Sequence, residues 1–112
     1  MSETATLPIA CHLSESKLAR RQAQITEEIF RECQEVNELA DGYEFRFAGG
    51  DEWFGRLTEF VAVERKCCPF FTFYLIFAPQ QSAIWLRLQG AAGVKEFIQN
   101  VLTPLAGQTN VC

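Results

Sequence analysis

The 112-residue chain is poor in the residues that most often build metal and nucleic-acid sites. It holds one histidine, His12, and no C-x-x-C pair. Zinc-finger spacing is thereby excluded, since that site draws on closely spaced Cys and His pairs. Basic residues are outnumbered, 10 Lys and Arg against 14 Asp and Glu, for a net charge of −4 and a pI near 5.0. Nucleic-acid binders carry a basic face, so that partner class is not expected. No apolar run approaches the roughly 18 residues of a membrane span; the longest greasy segment runs only from Pro69 to Pro79. Met1 to Leu7 has neither a basic region nor an apolar run, so no secretory signal is read there. The expected compartment is the cytoplasm, with no membrane partner. Repeats, low-complexity runs and linkers are also lacking. A single domain over 1–112 is expected, with an ordered core over 6–105 and a short tail over 106–112.

What is present is ordinary globular material. Hydrophobic residues make up 48%, and ten Phe, two Trp and two Tyr supply bulk for a core. Leu7, Ile9, Cys11 and Leu13 alternate onto one face and predict a strand. Ser14 then caps a long helix whose stripe is Leu18, Ile25, Ile29, Cys33 and Val36, ended by Asp41-Gly42. Tyr43, Phe45 and Phe47 alternate with Glu44 and Arg46 as a strand with one wet face. Asp51 caps a second helix carrying Trp53, Leu57, Phe60, Val61 and Glu64, which Pro69 stops near Lys66 or Cys67.

Phe70 to Ala78 is apolar on both faces and predicts a central strand. Pro79 to Ser82 turns the chain into a hairpin partner with Ile84, Leu86 and Leu88 on one face. A last helix carries Val94, Phe97, Ile98, Val101 and Leu102. The order β-α-β-α-β-β-α predicts an α+β two-layer sandwich: a mostly antiparallel four-stranded sheet with helices on one face. Phe45, Phe47, Leu57, Val61, Phe73, Leu75, Leu86, Leu88, Phe97 and Val101 are its expected core.

The chemistry concentrates in Glu64-Arg65-Lys66-Cys67-Cys68-Pro69-Phe70. In a reducing compartment the five cysteines are thiols, and an odd number cannot all pair within the chain. Two adjacent thiols suit a soft ion such as mercury, arsenite, copper(I) or zinc. Arg65 and Lys66 favour thiolates, whereas the negative helix C-terminus and Glu64 oppose them. A third ligand is expected in Cys11, on the inward face of the first strand. Cys33, on a helical stripe, reads as packing, and Cys112 is terminal. Glu64 is expected to be buried and held by a cation or a backbone N–H, with Arg65 supporting the site from outside the ligand set.

These residues give the chain a resemblance to a family of small bacterial proteins marked by an E-R-x-C-C-P-F motif. Here the motif is Glu64, Arg65, Cys67, Cys68, Pro69 and Phe70. The likeness extends to Ile9-Ala10-Cys11-x-Leu13, to Asp41 through Phe47 and to Trp85 through Phe97. The resemblance implies that Cys11, Cys67 and Cys68 belong to the family pattern and that Cys33 and Cys112 do not.

Three readings follow. The leading one is soft-metal or metalloid binding by Cys11, Cys67 and Cys68, with the ion as the only cofactor and with Glu64 and Arg65 behind the ligands. The second is a non-catalytic module that binds a partner protein and uses its cysteines structurally. The third is a thiol-dependent redox enzyme, for which no acid/base partner beyond His12 is evident.

Overall fold

The computed structural model describes residues 16–107, which form an α+β fold with one open, four-stranded antiparallel sheet. Helix α1 spans Ser16–Arg31. Strands β1, Glu35–Leu39, and β2, Gly42–Phe47, form a hairpin. Helix α2, Asp51–Cys67, leads to β3, Thr72–Phe77, and β4, Ile84–Gln89. Helices α3, Val94–Val101, and α4, Thr103–Gly107, complete the described chain. Among the described residues no helix is long and apolar enough to cross a membrane.

The strand order is β1-β2-β4-β3. Both β2 and β3 pair antiparallel with β4, so β2 and β3 run the same way. Helix α2 is therefore the crossover of a β-α-β unit split by an inserted strand. The register aligns Phe45 with Leu86, and Leu86 with Leu75. Side chains alternate across a strand, so these residues share one face. Phe45, Phe47, Ile84, Leu86 and Leu88 are buried there against the helices. The opposite face carries Glu44, Arg46, Tyr74, Ile76, Trp85 and Arg87, all of them partly or largely accessible. The helices thus cover one face, as the hydrophobic pattern required.

Phe30 anchors the core. Its ring lies edge-on to Phe45 at 4.8 Å, Phe60 at 5.6 Å and Phe47 at 5.9 Å between centroids. The sequence reading passed over this residue, although Ile25, Thr26, Ile29 and Phe30 form one buried face at helical spacing.

Four expectations change. The first helix ends at Arg31, and the segment read as its continuation is strand β1. Its last turn tightens through i−3 bonds, Glu32 N–H to the Ile29 carbonyl and Cys33 N–H to the Phe30 carbonyl. Val36, which fits helical spacing by coincidence, instead faces Phe45 across the hairpin. The strand starting near Phe70 is an edge strand, with Tyr74 and Ile76 exposed on the open face. The N-cap of α2 is Gly50, and Asp51 and Glu52 sit in the first turn, where the helix dipole favours acids. Val101 is 45% exposed and leaves the core list, while Val61, Phe73, Leu75 and Phe97 are half-buried.

Gly42 is required by close approach. A Cβ there would meet the Leu88 carbonyl oxygen of the neighbouring strand at 1.9 Å. The expected strand over Leu7–Leu13, its residues Cys11 and His12, the Ser14 cap and the terminal Cys112 lie outside the described residues.

Candidate metal centre

The site forms where α2 stops. Cys67 is the last helical residue, and Cys68 caps the helix with φ −127° and ψ 70°. Pro69 disfavours helical geometry in the residue before it, so the backbone turns between the two cysteines. The Cys68 N–H still reaches the Glu64 carbonyl at 2.7 Å, and the Phe71 N–H closes the turn onto the Cys68 carbonyl at 3.2 Å. On a continuing helix, neighbouring side chains diverge by roughly 100°. The bend instead brings the sulfurs together, with Cys68 Sγ 3.6 Å from Cys67 Sγ. Both residues are 2% exposed.

Glu64 lies one turn earlier on the same side of α2 and is equally buried. One carboxylate oxygen and the two sulfurs all lie within 4.8 Å of one another. This trio could hold a metal ion. Glu64 was expected to face a cation or a backbone N–H, yet its described partners are a neutral amide, Gln22, and the Cys68 thiol. Gln22 Nε2 donates to Glu64 Oε1 at 2.6 Å and to Thr26 Oγ1 at 3.0 Å. Thr26 Oγ1 in turn donates to the Gln22 carbonyl at 2.8 Å. Two residues of α1, four apart, thus fix the carboxyl of α2.

Burial decides the local electrostatics. It pushes the Glu64 carboxyl above its ordinary value, with hydrogen bonds from Gln22 and Cys68 opposing the shift. It pushes the Cys68 thiol far above its ordinary value too, and the adjoining Glu64 and Cys67 add to the effect. The opposing influences weighed from sequence therefore resolve against a free thiolate at Cys68. Arg65 and Lys66 are exposed. Arg65 borders a shallow depression with Pro69, Phe71 and Phe73, whereas the thiols border a different cavity.

That cavity, about 380 Å³, has the Glu64-Cys67-Cys68 trio on one wall. Gln22, Ala23 and Thr26 of α1 form a second wall, and Phe97, Val101, Leu102 and Leu105 a third. Helix α1 crosses α2 and also touches α4, which places these three elements around one opening. The exposure of Val101 is explained here, because α3 turns part of its apolar stripe toward the cavity.

Sequence reasoning found Cys67, Cys68 and Glu64, which the fold brings together. Cys33 is separate and fully buried, and its thiol donates to the Glu35 carbonyl at 3.3 Å. Gln22, Thr26 and the cavity-facing side of α3 and α4 were not found. Their only sequence signal is position: Gln22 and Thr26 flank Ile25 at helical spacing, which shows a half-buried face and nothing of its chemistry. In comparisons with family models, curated proteins and solved structures, nothing matches this chain.

Proposed function

We propose that the protein binds a soft metal or metalloid ion of the mercury, arsenite, copper(I) and zinc group through Cys67 and Cys68. The observation that carries this reading is the 3.6 Å separation of two buried sulfurs at a bend. Metal–sulfur bonds of about 2.3 Å place two sulfurs about 3.8 Å apart at a tetrahedral centre and about 4.6 Å apart at a linear one. The pair is therefore spaced for a bent S–M–S unit. Soft thiolates select soft ions, and displaced thiol protons compensate for the positive charge brought into the buried site.

Glu64 stands beside the sulfurs as a further oxygen donor. Cys11 is the proposed third sulfur. It lies five residue steps before Ser16, and a chain spans at most roughly 3.3–3.6 Å per residue, a reach comparable with the distance along α1 from Ser16 to Gln22. The cytoplasm is the compartment in which this chemistry operates, because its reducing poise keeps the thiols free.

The test is native mass spectrometry of the reduced full chain after exposure to each ion at equal concentration. Retention of one ion by the wild type, with loss in both Cys67→Ser and Cys68→Ser, supports the reading. Retention falls as pH falls, because the ligands must shed protons. Absence of any retained ion, with all thiols confirmed reduced, defeats it.

A further inference from the structure

We propose that the cavity beside the thiols receives the organic group of a monosubstituted trivalent arsenical, R–As(OH)2, whose two exchangeable positions Cys67 and Cys68 fill. The inference rests on the soft-ion reading of the same pair and narrows it to a substrate class.

Size is the first argument. The cavity holds about 380 Å³, whereas one water claims roughly 30 Å³ of liquid volume. A bare ion with one water leaves most of this space without purpose. Sites for small organic molecules begin at roughly 300 Å³. The second argument is the lining. Polar groups come from the trio and from Gln22, Thr26 and Glu27 of α1, while Ala23, Phe97, Val101, Leu102 and Leu105 form an apolar side. That apolar side favours a hydrocarbon group over a hydrated ion. The sulfurs and the apolar walls border one space, so a molecule joined to both sulfurs places its substituent against those walls.

The third argument is stoichiometry. The reaction is R–As(OH)2 + 2 Cys–SH → R–As(S–Cys)2 + 2 H2O. Two As–O bonds break and two As–S bonds form. Each thiol proton leaves with a hydroxyl as water, and no electron is transferred. The product is neutral, which suits two sulfurs that are each 2% exposed. Arsenic(III) is pyramidal, so its two sulfurs take the bent arrangement that a 3.6 Å separation requires. Arsenite itself keeps a third open position and needs a third donor. In a monosubstituted arsenical carbon already occupies that position, and the pair alone completes the coordination.

The experiment measures exchange of phenylarsonous acid, methylarsonous acid and arsenite between dithiothreitol and the reduced full chain. Referring each to a free dithiol cancels the intrinsic strength of its arsenic–sulfur bonds. The expected order is phenyl, then methyl, then arsenite, with phenyl favoured by about 10-fold or more, as apolar pockets reward added hydrocarbon. The phenyl adduct has the mass of the acid less two waters. Ala23 is exposed on α1, so Ala23→Phe narrows the opening without disturbing the core. It lowers the phenyl constant by about 10-fold and leaves arsenite within about twofold.

Exchange constants independent of the substituent overturn the proposal while the soft-ion reading stands. So does a phenyl constant unmoved by Ala23→Phe. A phenyl preference that emerges only after removal of residues 1–13 also overturns it, because the cavity then belongs to the chain's own N-terminal segment. Retention of no arsenical and no other soft ion removes the underlying reading as well.

Discussion

Cys33 and the Cys67–Cys68 pair are equally inaccessible, at 0%, 2% and 2% exposure, and share one core cluster, yet the pair has neighbours of a different chemistry. Cys33 sits beyond the end of α1 in the core cluster that includes Phe30 and Phe45, and its thiol has a backbone carbonyl to bond. The pair sits at the other end of the helical layer, beside a carboxyl and a cavity. Burial alone therefore does not separate a packing cysteine from a ligand. All three belong to the hydrophobic core cluster; what sets the pair apart is a second sulfur, an acid and a cavity beside it.

The largest effect is expected on the packed side of this comparison. Leu86 is fully buried at the middle of β4, between Phe45 and Leu75. Leu86→Ala should lower unfolding free energy by about 2–5 kcal/mol, through lost transfer energy and a cavity. Urea denaturation checks this, and a loss below about 1 kcal/mol would show that the site collapses around the smaller residue.

On the other side, Cys67→Ser and Cys68→Ser should each weaken soft-ion binding by more than about 100-fold, beyond the 10–100-fold range of outer-shell changes. Cys33→Ser should leave binding unchanged and cost roughly 1 kcal/mol of stability through altered packing and hydrogen bonding. Competition titration against a chelator distinguishes the three. A Cys33 variant that loses the ion would erase the contrast.

Glu64 sharpens the contrast through pH. Its carboxyl is raised in the folded chain, chiefly by burial. The folded state therefore binds this proton more tightly than the unfolded state does. By linkage, stability is highest below the ordinary carboxylate value of about 4.3 and declines as pH rises from there through the raised value. Glu64→Gln keeps an oxygen to accept from Gln22 and removes this decline. In urea midpoints between pH 4 and 8, the variant should gain on the wild type as pH rises. Parallel curves would show that burial does not govern this group.

The smallest effect belongs to the surface. Arg21 and Glu59 join α1 to α2 at 2.9 Å, but both are about half exposed. Arg21→Ala should change stability by about 0–1 kcal/mol, less in high salt. A larger loss in a thermal scan would mean that this link, and not the core, positions α1 over the thiols.

Much of this arrangement was legible from local pattern. Period-2 alternation marked β2 and β4, and Pro69 marked the end of α2 within a residue. What misled was coincidence of period. Val36 follows Cys33 by three residues and so suited a helix, although hairpin pairing with Phe45 decides its fate. Phe70 to Ala78 suited a central strand by its two apolar faces, but strand order depends on distant pairing that one segment does not encode. At the site, Cys67, Cys68 and Glu64 were legible because one helical turn and one proline hold them together. Gln22 lies 42 residues from Glu64, and only the packing of α1 on α2 makes them neighbours.

The adjacency of the two sulfurs along the chain has a thermodynamic consequence. Cys67 and Cys68 stay neighbours when the protein unfolds, so the unfolded chain retains a chelating dithiol. A ligand stabilises a fold only by the excess of its affinity for the native state, and metals that also bind unfolded cysteines give less than their affinity suggests. An ion held by this pair alone would raise the melting temperature little, however tightly it bound. Any large rise must come from groups that folding alone delivers: the apolar walls of α3 and α4, the amide of Gln22, or a sulfur from elsewhere in the chain. Melting temperature and affinity, measured on the same ligand, therefore divide what the dipeptide supplies from what the tertiary structure adds.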